Sequence, residues 1–495
     1  MSRIPAERVR QVRSGPVRHE GSYVLYWMIG SRRLHHNYAL QRALRWSRQL
    51  GKPLLIFEPI SIGFAWSSER FVSFAVDGMR EKRRRLENSG VSYLPWIETK
   101  RNLSRGLLSR LAAKACCVVT DDSCVFDLRG LVERASLHFT GRFEAVESDT
   151  LIPTAEQDRI FKTAASFRRW IHRRGAAALC EGPDASPLTS YSLGPAAVDR
   201  AALEPWAFRK SDAILDGRIP LDSLAIDTWV SPCVETPGGS LAAEERLQSF
   251  IGGSLNRYSR GKNHPDVDHG SRLAPYLHWG FISPHAVLKA VLQHEDWSPD
   301  RVNPERLARR EGWWGLSPGA ESFLDQLVTW RELGWNGARH DPDFGSWAGI
   351  PQWARSTLEH HVKDEREALY SCGVLEEAKT DDPIWNAAQT QLRRTGRVHS
   401  YLRMYWGKRV LSWTSDPEVA FDTLIHINNK FSLDGRDPNS TTGISWIFGR
   451  YDRAWGPERP VFGKVRFMSA ANTRRKLRLN AYLEQYTSPH GVRAS

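Results

Sequence analysis

Residues 399–413 read HSYLRMYWGKRVLSW, a segment both basic and aromatic. Trp406 and Trp413 are seven positions apart, which on a helix leaves them about 20° apart in azimuth and roughly 10 Å apart along the axis, on one face. Trp385, in DPIWNAAQ, falls on the preceding helical pattern, and a short loop would lay the two helices antiparallel with three indoles in a chain. Aromatic rings in van der Waals reach conduct single electrons. An apolar stripe packed in a core meets the same spacing, and spacing alone does not choose between them. Arg403 can pair with a carboxylate beside a cofactor, and the candidates are Asp434 and Asp437 in the turn-forming LDGRDPN; an ordinary structural ion pair uses the same residues. In GSRLAPYLHWGFIS (270–283), Ser271 can cap a helix whose first turn accepts Pro275, where free amides would favour a phosphate; plain capping needs no ligand. Lys408 and Arg409 read as ordinary charge.

The elements that must position these residues differ along the chain. The first third alternates short apolar runs, YVLYWMI, PLLIFEP, VSYLPW and CCVVTDD, with helical patterns such as NYALQRALRWSRQL, which predicts an α/β domain built on a doubly wound, Rossmann-like parallel sheet. Neither G-x-G-x-x-G nor G-x-x-x-x-G-K-[ST] follows the first strand, so the sheet carries no dinucleotide or P-loop fingerprint. EGPDASPLTSYSLGP (181–195) is a linker composition. From about 240 to 480 the pattern is helical throughout, predicting an all-α C-terminal domain.

The chain has 495 residues, enough for two domains, and no apolar run long enough to span a bilayer. Its basic N-terminus has no apolar stretch behind it and does not read as a secretory signal. Six cysteines without paired CxxC spacing argue against a disulfide framework and against a zinc site, and point to a reducing, intracellular, cytoplasmic compartment. The net charge is +13, and residues 390–480 hold 17 Lys or Arg against 7 Asp or Glu, interleaved with aromatics. A solvated face explains any one such cluster; ninety residues of it favour a polyanion with stackable rings, as nucleic acid is.

RLAPYLHWGFIS, WAGIPQWARSTLEHH, EEAKTDDPIWNAAQ, GRVHSYLRMYWGKRVLSW, LDGRDPN and ERPVFGKVRFMS occur in this order, and together they closely resemble the class II cyclobutane pyrimidine dimer photolyases. The resemblance covers roughly residues 20–480. It implies a disordered basic arm (1–20), an antenna-type α/β domain (21–180), a linker (181–239), a helical FAD- and DNA-binding domain (240–482) and a tail (483–495). It implies FAD, active as FADH⁻, and UV-damaged DNA as partner, with no membrane, no obligatory protein partner and no metal, in a monomer. The activity implied is that of a deoxyribodipyrimidine photo-lyase, a carbon-carbon lyase in which the photoexcited reduced flavin donates one electron to a dimer flipped out of the duplex.

Carried over by motif, Tyr258, Ser271, Arg272 and Leu273 would hold the FAD phosphates and ribityl chain. Arg403, Asp434 and Asp437 would lie at the isoalloxazine, and Asn428, with Asn429 adjacent, near its N5. Trp385, Trp406 and Trp413 would photoreduce it, with Tyr370 as terminal donor. Trp330 and Trp446 would wall the lesion pocket, with Met404 beside it. In FLDQLVTWREL, Gln326 stands where related dimer photolyases place a glutamate; an amide donates a hydrogen bond but cannot shuttle a proton. Glutamine at the analogous place is a feature of six-four photoproduct photolyases, which makes that lesion the alternative substrate; a cryptochrome-like photoreceptor is a further one, disfavoured by the short C-terminal extension. The exit of the first strand, MIGSRRLHHN, departs from the usual acidic and glutamine-containing pattern and leaves the antenna open: 8-hydroxy-5-deazaflavin, a folate, or none.

Overall fold

The computed structural model describes residues 2–125 and 127–487, so the end of the expected tail, 488–495, lies outside them. The chain divides into two compact units. One contains residues up to 158, 177–247 and 273–290; the other contains 159–176, 248–272 and the chain from 291 onward.

The first unit is built on a six-stranded sheet of β1 (Val9–Ser14), β2 (Tyr23–Trp27), β3 (Leu54–Ile60), β4 (Ser92–Ile97), β5 (Ala115–Asp121) and β6 (Arg142–Val146), in the order β1-β6-β5-β2-β3-β4. All neighbours are parallel except β1, which runs antiparallel to β6. The apolar runs are continuous because both faces are covered. Tyr23, Leu25 and Trp27 of β2 join one core with Phe57, Trp96, Leu111 and Phe208, while Val24, Tyr26 and Met28 join another with Leu40, Ala43 and Leu44 of the helix Tyr38–Leu50. Asn37 starts that helix by accepting from Leu40 N (2.9 Å), and Gly51, at φ 60°, ends it. All six cysteines are free, with Cys116 and Cys117 buried in β5.

One expectation for this unit is corrected. The N-terminal arm is not disordered: Val9–Ser14 pairs with β6 from Val9↔Val146 to Ser14↔Arg142, because β6 otherwise offers an open edge. Arg8 is buried and donates to the carbonyls of Thr150 and Leu151. The 181–239 stretch is ordered and packed, with Phe208 of the helix Phe208–Leu215 against Trp96 and Ser211 Oγ accepting from Ile97 N.

The second unit is helical. Three of its helices, Pro383–Thr395, Pro417–Phe431 and Pro438–Ile447, open on the same dipeptide. Asp382, Asp416 and Asp437 each accept amide bonds from their first turn, and the following Pro fits the position that needs no N–H. Ser400–Ser412 follows the first of them after a short loop. The FLDQLVTWREL pattern is not one α-helix: Pro318–Leu324 and Arg331–His340 flank a π-helical stretch, Asp325–Trp330, in which Arg331 N donates to the Gln326 carbonyl five residues back. Such insertions concentrate at functional positions.

Candidate functional site

The tryptophans expected to form a chain do so, in an order the spacing did not give. Trp413 is the capping residue at the end of Ser400–Ser412, where the backbone leaves the helix. Trp385 stands between the other two. Its ring is parallel to Trp406 (centroids 6.4 Å, 6°) and edge-on to Trp413 (5.6 Å, 73°), and Tyr370 meets Trp413 edge-on at 5.1 Å. Trp385, Trp406 and Trp413 are buried; Tyr370 is half-exposed and its hydroxyl donates to Asp381 (2.8 Å). Trp385 Nε1 donates to the Trp406 carbonyl and Trp406 Nε1 to Gln389 Oε1, so two indoles are held by directed bonds as well as by packing. The rings therefore run Trp406, Trp385, Trp413, Tyr370, from the interior outward.

One turn before Trp406, Arg403 joins a buried polar network. Its Nη1 donates to Asn428 Oδ1 (2.6 Å) and Ser440 Oγ (3.3 Å), and its Nη2 lies 3.9 Å from Asp434 Oδ1, a loose pairing. Asn428 Nδ2 donates to the Gly435 carbonyl (2.7 Å) and Ser440 Oγ (3.1 Å). Of the adjacent asparagines it is Asn428, 1% exposed, that centres the network; Asn429 only accepts from it at 3.3 Å. Gly435 makes the close approach of LDGRDPN to the helix Pro417–Phe431, since a Cβ there would sit 2.5 Å from the Asn428 carbonyl oxygen. Asp437 is the cap of Pro438–Ile447.

Tyr258 is buried edge-on between Phe250 and Phe323, and burial pushes its hydroxyl up. Arg272 is in the left-handed region (φ 57°) and pairs with Asp268 at 3.0 Å. Ser271 does not cap a helix: the next helix, Ala274–His278, has Leu273, 1% exposed, at its cap with no side-chain bond, and its five residues make no anion site by themselves. Around Asp268 the fit to a phosphate-bearing group is better. Burial would raise the Asp268 carboxyl, but Arg397 and then Arg272 hold it down to about 2. His399, in the same cluster and drawn to about 4 by burial, has neither ring nitrogen hydrogen-bonded among the described residues, and His264 Nδ1 is in the same condition. Two guanidiniums to one carboxylate, with buried donors left over, suit an added anion.

Trp330 and Trp446 face one another at 5.2 Å with planes 30° apart, both half-buried, and Trp446 Nε1 is buried without an acceptor among the described residues. Gln326 is exposed on the π stretch that carries Trp330, and Met404 is half-buried. Beside Trp446, Arg466 lies 5.8 Å from its ring and 4.3 Å from that of Trp455, which Arg453 approaches at 4.6 Å. These three residues were missed in the sequence, where DRAWGPERPVFGKVRF shows only basic and aromatic types.

Two residues read as ordinary charge are corrected. Arg409 lies 4.4 Å from the Trp413 ring and pairs with Asp382 (3.0 Å), and Lys408 is wholly buried. Both follow from a helix packed against neighbours on most of its circumference. Cys372, Glu376 and His426 bring three ligand-type atoms within 4.8 Å of one another, but Glu376 already pairs with Lys430 (2.8 Å) and His426 (2.7 Å), which leaves its carboxylate neutralised. No described helix is long and apolar enough to cross a membrane.

No protein-family model matches the chain. The bacterial class III photolyase from Agrobacterium tumefaciens has a similar fold (TM-score 0.65, 17% identity, covering 94% of this chain and 86% of that one). A deoxyribodipyrimidine photo-lyase of Arabidopsis thaliana is 27% identical over 97% of this chain and 92% of the relative. That of Methanothermobacter thermautotrophicus is 33% identical over 483 residues, 97% of this chain and 98% of the relative. With a relative one-third identical from end to end, the chain belongs to the deoxyribodipyrimidine photo-lyase family.

Proposed function

We propose that this protein is a class II type photolyase that repairs cyclobutane pyrimidine dimers in DNA with light. The observation that carries the reading is the continuous series of rings from half-exposed Tyr370 through Trp413 and Trp385 to Trp406, one helical turn from the Arg403–Asn428 network. A core needs aromatic bulk but not a file of rings that runs from surface to a buried polar centre. FAD is the cofactor this supports: when bound and reduced, it supplies the light-driven electron that splits the dimer. Tyr258, Ser271, Arg272 and Leu273, with Arg403, Asp434, Asp437 and Asn428, are the residues that would hold it, and the cluster of Arg397, Arg272 and His399 has the donors its phosphates require.

The chain's own residues account for the remaining work. The Asn428 amide offers an acceptor or, rotated, a donor, so one side chain serves either protonation state of a ring placed against it. The ring series delivers electrons inward, and Asp381 takes the Tyr370 phenolic proton when that ring is oxidised. Trp330 and Trp446 give the flipped bases two stacking faces, worth about 1–3 kcal/mol per base. Gln326 donates a hydrogen bond to a carbonyl without proton transfer. Arg453 and Arg466 add the positive charge that phosphates need.

The six-four photoproduct is a second reading, favoured by Gln326 alone. Illuminating the reduced protein with oligonucleotides carrying one lesion or the other separates the two. We expect intact thymines to be recovered from the cyclobutane dimer; recovery only from six-four sites would overturn the assignment.

A further inference from the structure

The helix Ser400–Ser412 passes Pro438–Ile447 at Gly407, where any Cβ would overlap the Ile447 side chain. This close crossing lets the next side chain, Lys408, run along the interface to the end of its neighbour, where Nζ donates to the Ile447 carbonyl. The amides of Phe448 and Gly449 cover the Ser445 and Trp446 carbonyls, so the lysine completes the last turn, at the end of the helix dipole that favours a cation. Trp446 is the penultimate residue of that turn. Two charged groups act on the ammonium, Asp452 attracting it and Arg466 repelling it. Asp452 in turn accepts from Arg466 Nε (3.1 Å), Trp455 Nε1 (3.2 Å) and Arg453 N (2.9 Å). Lys408 is thus the buried end of an array whose outer end is the half-exposed face of Trp446, Arg466 and Trp455.

We propose that Lys408 is a positioning residue for the substrate wall: its ammonium fixes the terminal turn that carries Trp446, together with the Asp452–Arg466–Trp455 array, and the wall is ordered for substrate only while Lys408 keeps its proton. The inference rests on Trp446 lining the lesion pocket. A neutral amine still reaches the Ile447 carbonyl but loses its attraction to the helix end and to Asp452.

Burial draws Lys408 down to about 7, against the pull of Asp452. Between that value and the ordinary lysine range the unfolded chain binds more protons than the folded one, so this group lets stability rise with pH across the window. The charged form that serves the wall is therefore the one that burdens the fold. A residue present only for packing would show the opposite coupling, with loss of the amine destabilising the protein and weakening binding together.

The test is binding, in the dark, of a single-stranded oligonucleotide containing one thymine dimer to the purified flavoprotein between pH 6 and 8.5 at fixed ionic strength. Wild-type affinity should fall about fivefold to tenfold over this range, a change the size of one ordinary hydrogen bond. Lys408→Met should be flat at the weak limit with an unlowered melting temperature, and Lys408→Arg should stay tight throughout. A flat wild-type profile, a wild-type slope surviving in Lys408→Met, or a melting temperature lowered by more than about 5 °C or failure to fold in that variant would overturn the inference. Trp446→Ala run in parallel separates the two levels. If it weakens binding while Lys408→Met does not, only the lysine role fails; if it leaves affinity unchanged, the lesion-wall reading fails and the lysine role with it.

Discussion

The indole of Trp385 lies parallel to that of Trp406, with 6.4 Å between centroids and 6° between planes, and its Nε1 donates to the Trp406 backbone carbonyl at 2.9 Å. The bond fixes the separation, and Trp385 is the ring that meets both Trp406 and Trp413.

Replacing the middle ring should therefore interrupt the series more completely than replacing an outer one. Trp385→Phe is expected to slow light-driven reduction of the flavoprotein by at least about tenfold, while dimer repair by chemically reduced enzyme stays within about twofold, because an electron from Trp413 must then reach Trp406 without the indole that stands between them. Parallel loss of both activities would mean that Trp385 acts through packing.

Gln326 is exposed on the π-helical stretch Asp325–Trp330. Gln326→Glu should leave the melting temperature unchanged and raise the yield of dimer repair per absorbed photon, because a carboxyl group can share a proton with the pyrimidine carbonyl and an amide cannot. An unchanged yield would remove proton sharing from the account of this pocket.

Burial holds His36, His172 and His399 each down to about 4. Between about 4 and 6.5 the unfolded chain binds more protons than the folded one, so stability should fall as pH drops through this window, by at most on the order of 1 kcal/mol per pH unit for each histidine. Urea titrations of the flavin-free protein should show the midpoint falling from pH 6.5 to 4. His399→Gln should flatten that slope, and an identical slope in the variant would exclude His399 as a contributor.

At the carboxyl ends of β2 and β5, where open α/β sheets take ligands, the first unit spends its polar groups on itself. Asp121 accepts from the amides of Ile29 and Gly30 and from the Tyr26 hydroxyl, all at 2.8 Å. Arg32 and Lys82 both pair with Glu58. The purified protein is accordingly expected to show flavin absorption without a second chromophore, and to take up no added 8-hydroxy-5-deazaflavin or folate on gel filtration. Stoichiometric retention of either would show that this crevice opens.

What was legible in the sequence, and what was not, follows from the range of the forces involved. β2, β3 and β5 were visible because burial on both faces makes them nearly continuous apolar runs, broken only by Glu58 in β3 and by Thr120 and Asp121 at the end of β5. The Asp-Pro openings of three helices are local signals of a helix start, but LDGRDPN also reads as a turn, which places Asp437 in a loop and passes over its capping role. The order of the rings was not legible, because Trp413 leaves the helix at its end and heptad spacing no longer applies, while Trp385 enters from another element. Lys408 and Arg409 looked like surface because charge marks an exposed face only where a helix has one. The π-helical stretch under Trp330 replaces one hydrogen-bond register by another without altering residue types, so composition carries no trace of it. Arg403 was legible by residue type as a carboxylate partner, while the roles expected of Asn428, Trp330 and Trp446 came from resemblance; the structure sets Arg403 against Asn428 with Asp434 only loosely paired, and Trp330 against Trp446.

The short strand β1 bears on how the protein survives outside its folded context. It covers the edge of β6, and its own outer edge is only six residues long, carries Arg10 and Arg13, and is interrupted by a register shift between Gln11 and Arg13. A second chain finds there a charged, uneven border on which strand addition cannot propagate. Removing the first fourteen residues would bare β6 instead, so a truncation that looks harmless for catalysis would be felt first as aggregation during expression.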